Sequence, residues 1–299
     1  MKNILVVGGT GYIGYYLLKS LSKHKVSLSS ISLHAPKKQR RIKKVNYYIC
    51  DYTNKSQLKD IENKFDYVIN ACGYFFSNKK TNLKKNYNHH YSGLKNLTEH
   101  FNSKKIKIFL HIGSSLEYGN SSILCKENMK CKPSTEYGKI KLKCTKYLIS
   151  IFKKNNYPAC VVRLFSIYGG IQNKGLMYNL LKFIKIKSKK KFVIDYKILD
   201  LCHIDDVVNG LVKLLFSNKS RGEIFNLGSG NLISTDQIKH FFQEKISKSK
   251  YLFNNLKIRY NNSYSICPDV SKVRNKMKWN AKKNFSKEMI KLFKKNNIL

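Results

Sequence analysis

Acidic residues are scarce in this chain: 17 Asp and Glu stand against 58 Lys and Arg in 299 residues, a formal net charge of +41. Arginine is scarce too, with six, so nearly all the positive charge is lysine. A nucleic-acid surface concentrates arginine beside exposed aromatic rings. Here lysines run along almost every segment, as solvated helix faces and an A/T-rich coding bias produce; a nucleic-acid or membrane role is the competing reading. No apolar run approaches the ~18 residues a bilayer-crossing helix needs. The basic-then-apolar start meets glycine too soon for a signal peptide. The eight cysteines show no Cys-x-x-Cys pair and no Cys/His spacing suited to a metal. Cys50, Cys72, Cys160 and Cys202 lie in or beside apolar strands as small core residues. A reducing cytoplasm is the compartment this implies. Linkers, repeats and low-complexity tracts are also missing.

What is present is a regular alternation. Residues 4–7 are a continuous apolar run, as expected of a parallel strand covered on both faces. Helix follows over 15–22, and strands over 26–33, 47–50 and 67–71, with a helix around 56–64. A helix over 93–102 leads to a fifth strand at 106–112. The next helix carries Tyr137 and runs to about 154, and a sixth strand spans 160–165. This alternation predicts an α/β fold, a doubly wound parallel sheet of Rossmann type. Residues 1–165 are the dinucleotide-binding domain. A strand near 223–228 returns to it, so residues 166–299, mainly a smaller α+β substrate lobe, are interleaved with it. A helix over 176–187 and a short strand at 192–194 open that lobe.

The strand at 4–7 runs into Gly8-Gly9-Thr10-Gly11-Tyr12-Ile13-Gly14. Gly8 permits the tight turn, Gly11 lets backbone approach a pyrophosphate, and Gly14 allows close helix–strand packing, with the helix N-terminus facing the phosphates. Later come Ser114, at the end of an apolar strand, and Tyr137 with Lys141 on one helix face. An ammonium near a phenol favours the phenolate. Such a phenol exchanges a proton with an alcohol or ketone oxygen that a serine hydroxyl holds, while hydride moves to or from a nicotinamide. The Tyr-x-x-x-Lys spacing alone is uninformative, because roughly three or four matches are expected by chance at this composition. The four present start at Tyr15, Tyr91, Tyr137 and Tyr178. Context selects Tyr137.

Taken together, these motifs resemble an extended short-chain dehydrogenase/reductase of the NAD-dependent epimerase/dehydratase family, whose members act largely on nucleotide sugars. The similarity covers most of the chain. It includes Asn70-Ala71-Cys72-Gly73, Ser114-Ser115-Leu116-Glu117-Tyr118-Gly119, the stretch 133–139, Arg163-Leu164-Phe165 with Tyr168-Gly169, the run 200–207 and Asn226-Leu227-Gly228-Ser229-Gly230. The resemblance implies Ser114, Tyr137 and Lys141 as the catalytic group. It implies Gly8, Gly11, Tyr12, Ile13, Gly14, Asp51, Tyr52, Ala71, Lys141 and Phe165 as cofactor contacts, Lys141 through the nicotinamide ribose. It also implies a homodimer packed partly through the Tyr137 helix.

The departures narrow the chemistry. Where the family's dehydratases carry two acidic residues after the strand-end hydroxyl, this chain has Ser115 and Leu116, and neither serves as acid or base near pH 7. That leaves epimerisation, ketone reduction or alcohol oxidation. The second strand ends without the acid of an NAD site, while Lys37, Lys38, Arg40 and Arg41 follow closely. The cofactor is therefore NAD(P), leaning to NADP, with an ordinary basic loop as the alternative. Ser166 and Leu199 replace an asparagine and an arginine of the family's substrate side, and the tail before Asp269 lacks the family's diphosphate-binding arginine unless Arg259 serves by a different path. A nucleotide sugar is the expected substrate. His203 reads as structural, and His89 and His90 as helix-surface residues. A non-catalytic dinucleotide binder that holds RNA or a partner is the competing function.

Overall fold

The computed structural model describes residues 1–73, 82–102, 106–121, 123–172, 174–186, 190–246, 253–261 and 265–299. Strand β1 (Lys2–Val7) explains its own apolar run: Ile4 and Val6 enter one core cluster, while Leu5 and Val7 enter another on the opposite face. The same alternation recurs in β4 (Tyr67–Asn70), β5 (Ile108–Ser114) and β6 (Ala159–Leu164). With β2 (Val26–Ser32), β3 (Val45–Ile49) and a returning strand, Glu223–Leu227, these form a seven-stranded parallel sheet. Its order is 3-2-1-4-5-6 followed by the returning strand. This is the doubly wound sheet the alternation predicted.

Helix α1 (Tyr12–Leu21) covers one face. The other carries α2 (Lys55–Lys59), α3 (Leu83–Tyr87), α4 (Gly93–His100) and α5 (Glu136–Asn155). A π-helical turn at Asn88–Ser92 joins α3 to α4, so the helical stretch begins well before residue 93. Asp60 closes α2 early, sending Ile61 and Phe65 into the core ahead of β4.

After β6 come β7 (Ser166–Tyr168), α6 (Leu176–Lys185), β8 (Phe192–Asp195), β9 (Ile198–His203) and α7 (Ile204–Leu215). The expected end of α6 at Lys187 lies outside the described residues. The returning strand is β10. It precedes β11 (Leu232–Ser234), α8 (Thr235–Lys245), β12 (Leu256–Arg259), α9 (Ser271–Met277) and α10 (Phe285–Lys295). Met177, Phe183, Ile238, Phe242 and Phe293 build a separate core for the second lobe. Val207, Leu211, Val273 and Trp279 instead join the first-lobe cluster, so α7 and α9 serve the dinucleotide side. Among the described residues, no helix is long and apolar enough to cross a membrane.

Candidate active site

In a parallel sheet the C-terminal strand ends share one edge, and the turns beyond them form the crevice of a doubly wound fold. Here that edge collects the glycine turn after β1, residues 50–52, 71–73, 114–118 and Phe165.

The glycine turn is shaped by missing side chains. Gly8 has φ +84 and donates its N–H to Ile31 O at 2.7 Å. A Cβ at Gly14 would lie 2.2 Å from Gly8 O, and one at Gly9 would lie 2.3 Å from Ser30 Oγ. Gly14 therefore packs on the backbone of Gly8, and Gly9 on the Ser30 side chain, at the mouth of α1. Gly11, the residue before the helix, has no side chain to cap the first N–H groups. The positive helix pole is left facing the crevice, and the cradle fits a dinucleotide diphosphate. Tyr12 and Ile13 are half-buried at the start of α1, and the Tyr12 hydroxyl donates to Gly169 O at 2.7 Å. Burial pushes the Tyr12 phenol well above its ordinary range, with smaller contributions from Tyr16 and Asp205.

Beyond β2, Ser32 Oγ accepts from Thr10 N at 3.3 Å, and no carboxylate stands there. Arg40 donates to Ile171 O at 3.3 Å, and Arg41 lies 5.5 Å from the Tyr47 ring centre. Asp51 Oδ1 accepts from the Thr53 N–H and hydroxyl at 2.9 and 2.7 Å. The Tyr52 ring is in the core and its hydroxyl donates to His89 O at 2.8 Å, so Tyr52 offers the crevice main chain alone. Ala71 N donates to Val7 O at 2.9 Å, which continues the β1–β4 pairing past the strand.

At the end of β5 the construction is ionic. β5 runs two residues further than expected, because pairing with β6 continues to Ser114 opposite Leu164. Ser114 caps a 3-10 turn, Ser115–Glu117. Its Oγ accepts from Leu116 N at 3.2 Å, and its N–H donates to Glu117 Oε1 at 2.9 Å. Glu117 is wholly enclosed, and its Oε2 receives Thr145 Oγ1 at 2.7 Å and Arg163 Nε at 2.9 Å. The Arg163 guanidinium lies 4.5 Å from the Tyr118 ring centre, and the Tyr118 hydroxyl donates to Asn226 Oδ1 at 2.7 Å. Phe165 stacks on Tyr118 at 6.3 Å.

Helix α5 is laid across this strand end by three contacts a turn or so apart. A Cβ at Gly138 would fall 2.3 Å from Leu116 O, Lys141 Nζ donates to Ile112 O at 2.5 Å, and Thr145 reaches Glu117. Thr135 starts the helix by accepting from Gly138 N at 3.0 Å. Tyr137 therefore sits in the first turn, beside the 3-10 turn that Ser114 caps, with Lys141 one turn on. The Tyr137 ring meets His90 edge-on at 5.3 Å. His90 is buried, not on a helix surface, because the π-helical turn rotates it inward. His203 caps α7, accepting from Asp205 N at 3.2 Å through Nδ1. Burial holds it below its ordinary pKa, partly offset by Asp205.

Sequence reasoning quoted Glu117 and Arg163 without giving them a role, and missed Thr145 and His111 altogether. Two signals were available: the Ser-x-x-Glu capping spacing of Ser114 and Glu117, and an arginine inside the apolar strand Ala-Cys-Val-Val-Arg-Leu.

Between the sheet edge and the second lobe lies a cleft of about 760 Å³, lined by Tyr12, Phe165, Ser166 and Leu199 among others. Ser114 and Tyr137 are outside its lining. Among the described residues, two charged ones line it, Asp195 and Lys197. Arg259 pairs with Asp195 at 2.6–2.7 Å.

A family profile for the NAD dependent epimerase/dehydratase family matches residues 4–228. The ADP-L-glycero-D-manno-heptose-6-epimerase of Brachyspira hyodysenteriae is 29% identical over 267 residues, covering 81% of this chain and 80% of that one. The UDP-glucose 4-epimerase of Neisseria meningitidis serogroup A is 28% identical over 278 residues, covering 81% and 82%. Among solved structures, the dTDP-glucose 4,6-dehydratase DesIV of Streptomyces venezuelae superposes with a TM-score of 0.85 at 14% identity, over 99% of this chain and 98% of that one. That last likeness is one of fold.

Proposed function

Because the chain belongs to the NAD dependent epimerase/dehydratase family, we propose that it is an NAD(P)-dependent epimerase or ketoreductase of nucleotide-linked sugars, with Tyr137 as the acid–base group. The observation that carries this is the placement of α5. Contacts at 138, 141 and 145 seat the start of α5, which carries Tyr137 and Lys141, on the strand end that carries Ser114. Ser114 Oγ accepts a backbone N–H and keeps its own O–H to donate to a sugar oxygen. Tyr137 removes the proton of the sugar hydroxyl and returns it, and Lys141 would hold the nicotinamide ribose. A bound nicotinamide would supply two hydride transfers, on opposite faces of the sugar carbon, for an epimerase and one for a reductase, with Tyr137 moving the hydroxyl proton in either case.

Ser115 and Leu116 provide no acid for elimination, which favours these reactions over dehydration. The absence of a carboxylate after β2, with Lys37, Lys38, Arg40 and Arg41 nearby, supports NADP over NAD. We take the working unit to be a homodimer packed through α5, to be checked by sedimentation.

Thermal shift with NAD, NADP and a nucleotide-sugar panel, headed by the ADP-heptose and UDP-glucose of the relatives' names, identifies the ligands. Isomerised product without net NAD(P)H consumption marks an epimerase, and consumption marks a reductase. Tyr137→Phe should lower turnover by about 10²–10⁴-fold while the cofactor still stabilises the protein. Undiminished turnover would overturn the assignment.

A further inference from the structure

We propose that His111 is a positioning residue that orients the Lys141 ammonium; the proposal rests on the role given to Lys141 above. By strand alternation His111 shares with Phe109 the face of β5 that α5 covers, and it is 1% exposed. Its Nε2 lies 3.3 Å from Lys141 Nζ. The same ammonium donates to Ile112 O, the next carbonyl along the strand. An ammonium has donors and no acceptor, so Nε2 must accept, and the ring is neutral with its proton on Nδ1.

That Nδ1 is buried without a hydrogen-bond partner among the described residues. A buried unsatisfied donor is unfavourable, and phenylalanine would fill the same space without one. What histidine adds here is a second acceptor for Lys141. With two N–H directions taken by Ile112 O and His111 Nε2, tetrahedral geometry sets the third. That third N–H is the one left to act on a ligand. Burial, then the Lys141 charge and then His90 keep His111 well below its ordinary pKa, so no second cation forms beside the ammonium.

Two measurements test this. Long-range ¹H–¹⁵N NMR of the histidine side chains should read His111 as the Nδ1–H tautomer in the wild type and lose that preference in Lys141→Met. An Nε2–H tautomer or an imidazolium would overturn the proposal. NAD and NADP titrations should show His111→Phe binding roughly tenfold more weakly, the worth of one hydrogen bond to a charged group. His111→Gln, whose side-chain oxygen reaches the Nε2 position, should restore most of the loss. Wild-type affinity in His111→Phe would also overturn the proposal. If the wild type bound neither dinucleotide, the functional reading would fall, and the tautomer would still decide whether His111 holds Lys141.

Discussion

The crevice is built in two unlike ways at its two sides. After β1, the cradle is made by removing side chains: Gly8 and Gly14 bring backbone against backbone, and Gly9 sits against the Ser30 and Leu18 side chains, with Ser30 and Ser32 small and buried. After β5, the edge is made by burying charge: Glu117, Arg163 and Lys141 are each at most 2% exposed. The first construction is local and tolerates no added atom. The second is assembled from residues on β5 and the 3-10 turn after it, on α5 and on β6, and it holds only while every charge has its partners. A hydroxyl poised at a strand end needs a fixed frame, and the shared carboxylate of Glu117 supplies one to Ser114, Thr145 and Arg163 at once.

The largest effect should come from breaking the charged frame. Glu117→Ala leaves Arg163 enclosed without its counterion and should cost about 3–5 kcal/mol, read by urea unfolding. The double variant Glu117→Leu, Arg163→Met should recover most of that stability but not the activity, because Ser114 loses the bond to its N–H. On the glycine side, Gly14→Ala forces a methyl against Gly8 O. We expect roughly 1–3 kcal/mol of destabilisation and loss of any melting-point rise with NAD(P).

A smaller effect concerns pH. His203 and His111 both have depressed pKa values in the fold, so the unfolded chain takes up protons first as pH falls through about 6.5. Stability should therefore be full above that range and decline below it. His203→Asn, which keeps a capping side chain, should make the decline between pH 7 and 5 shallower in chemical denaturation. The smallest effect should be at Glu223, about a third exposed and paired with Lys272 and Lys276. Burial raises its pKa, but the two lysines outweigh this and hold the carboxyl below its ordinary value. Its contribution is present above the usual Glu range and lost as pH drops below it. Glu223→Gln should cost no more than about 1 kcal/mol, with the difference vanishing in acid.

How much was readable in advance follows the same division. The glycine turn and the apolar strands are local patterns, and local sterics and periodicity decide them, whereas the Tyr137–Lys141 spacing is one of four such matches and is singled out only by its place in the strand–helix order. His90 was misread because a π-helical turn shifts the facing of every residue after it, and nothing in the 88–92 composition announces that shift. The early end of α2 at Asp60 was likewise invisible, since Ile61 and Phe65 fit a helix pattern as well as a core loop.

The sequence by itself determined the order of strands and helices, the dinucleotide turn and the residue types available for acid–base work. Those depend on neighbours a few positions away. Only the tertiary structure decided that Glu117 would bind Arg163, 46 residues on, or that His111 would meet Lys141. It also decided that α7 and α9 would complete the first lobe's core. Those outcomes depend on which faces of distant segments are pressed together, and burial makes a charged or polar group there either a partner or a defect.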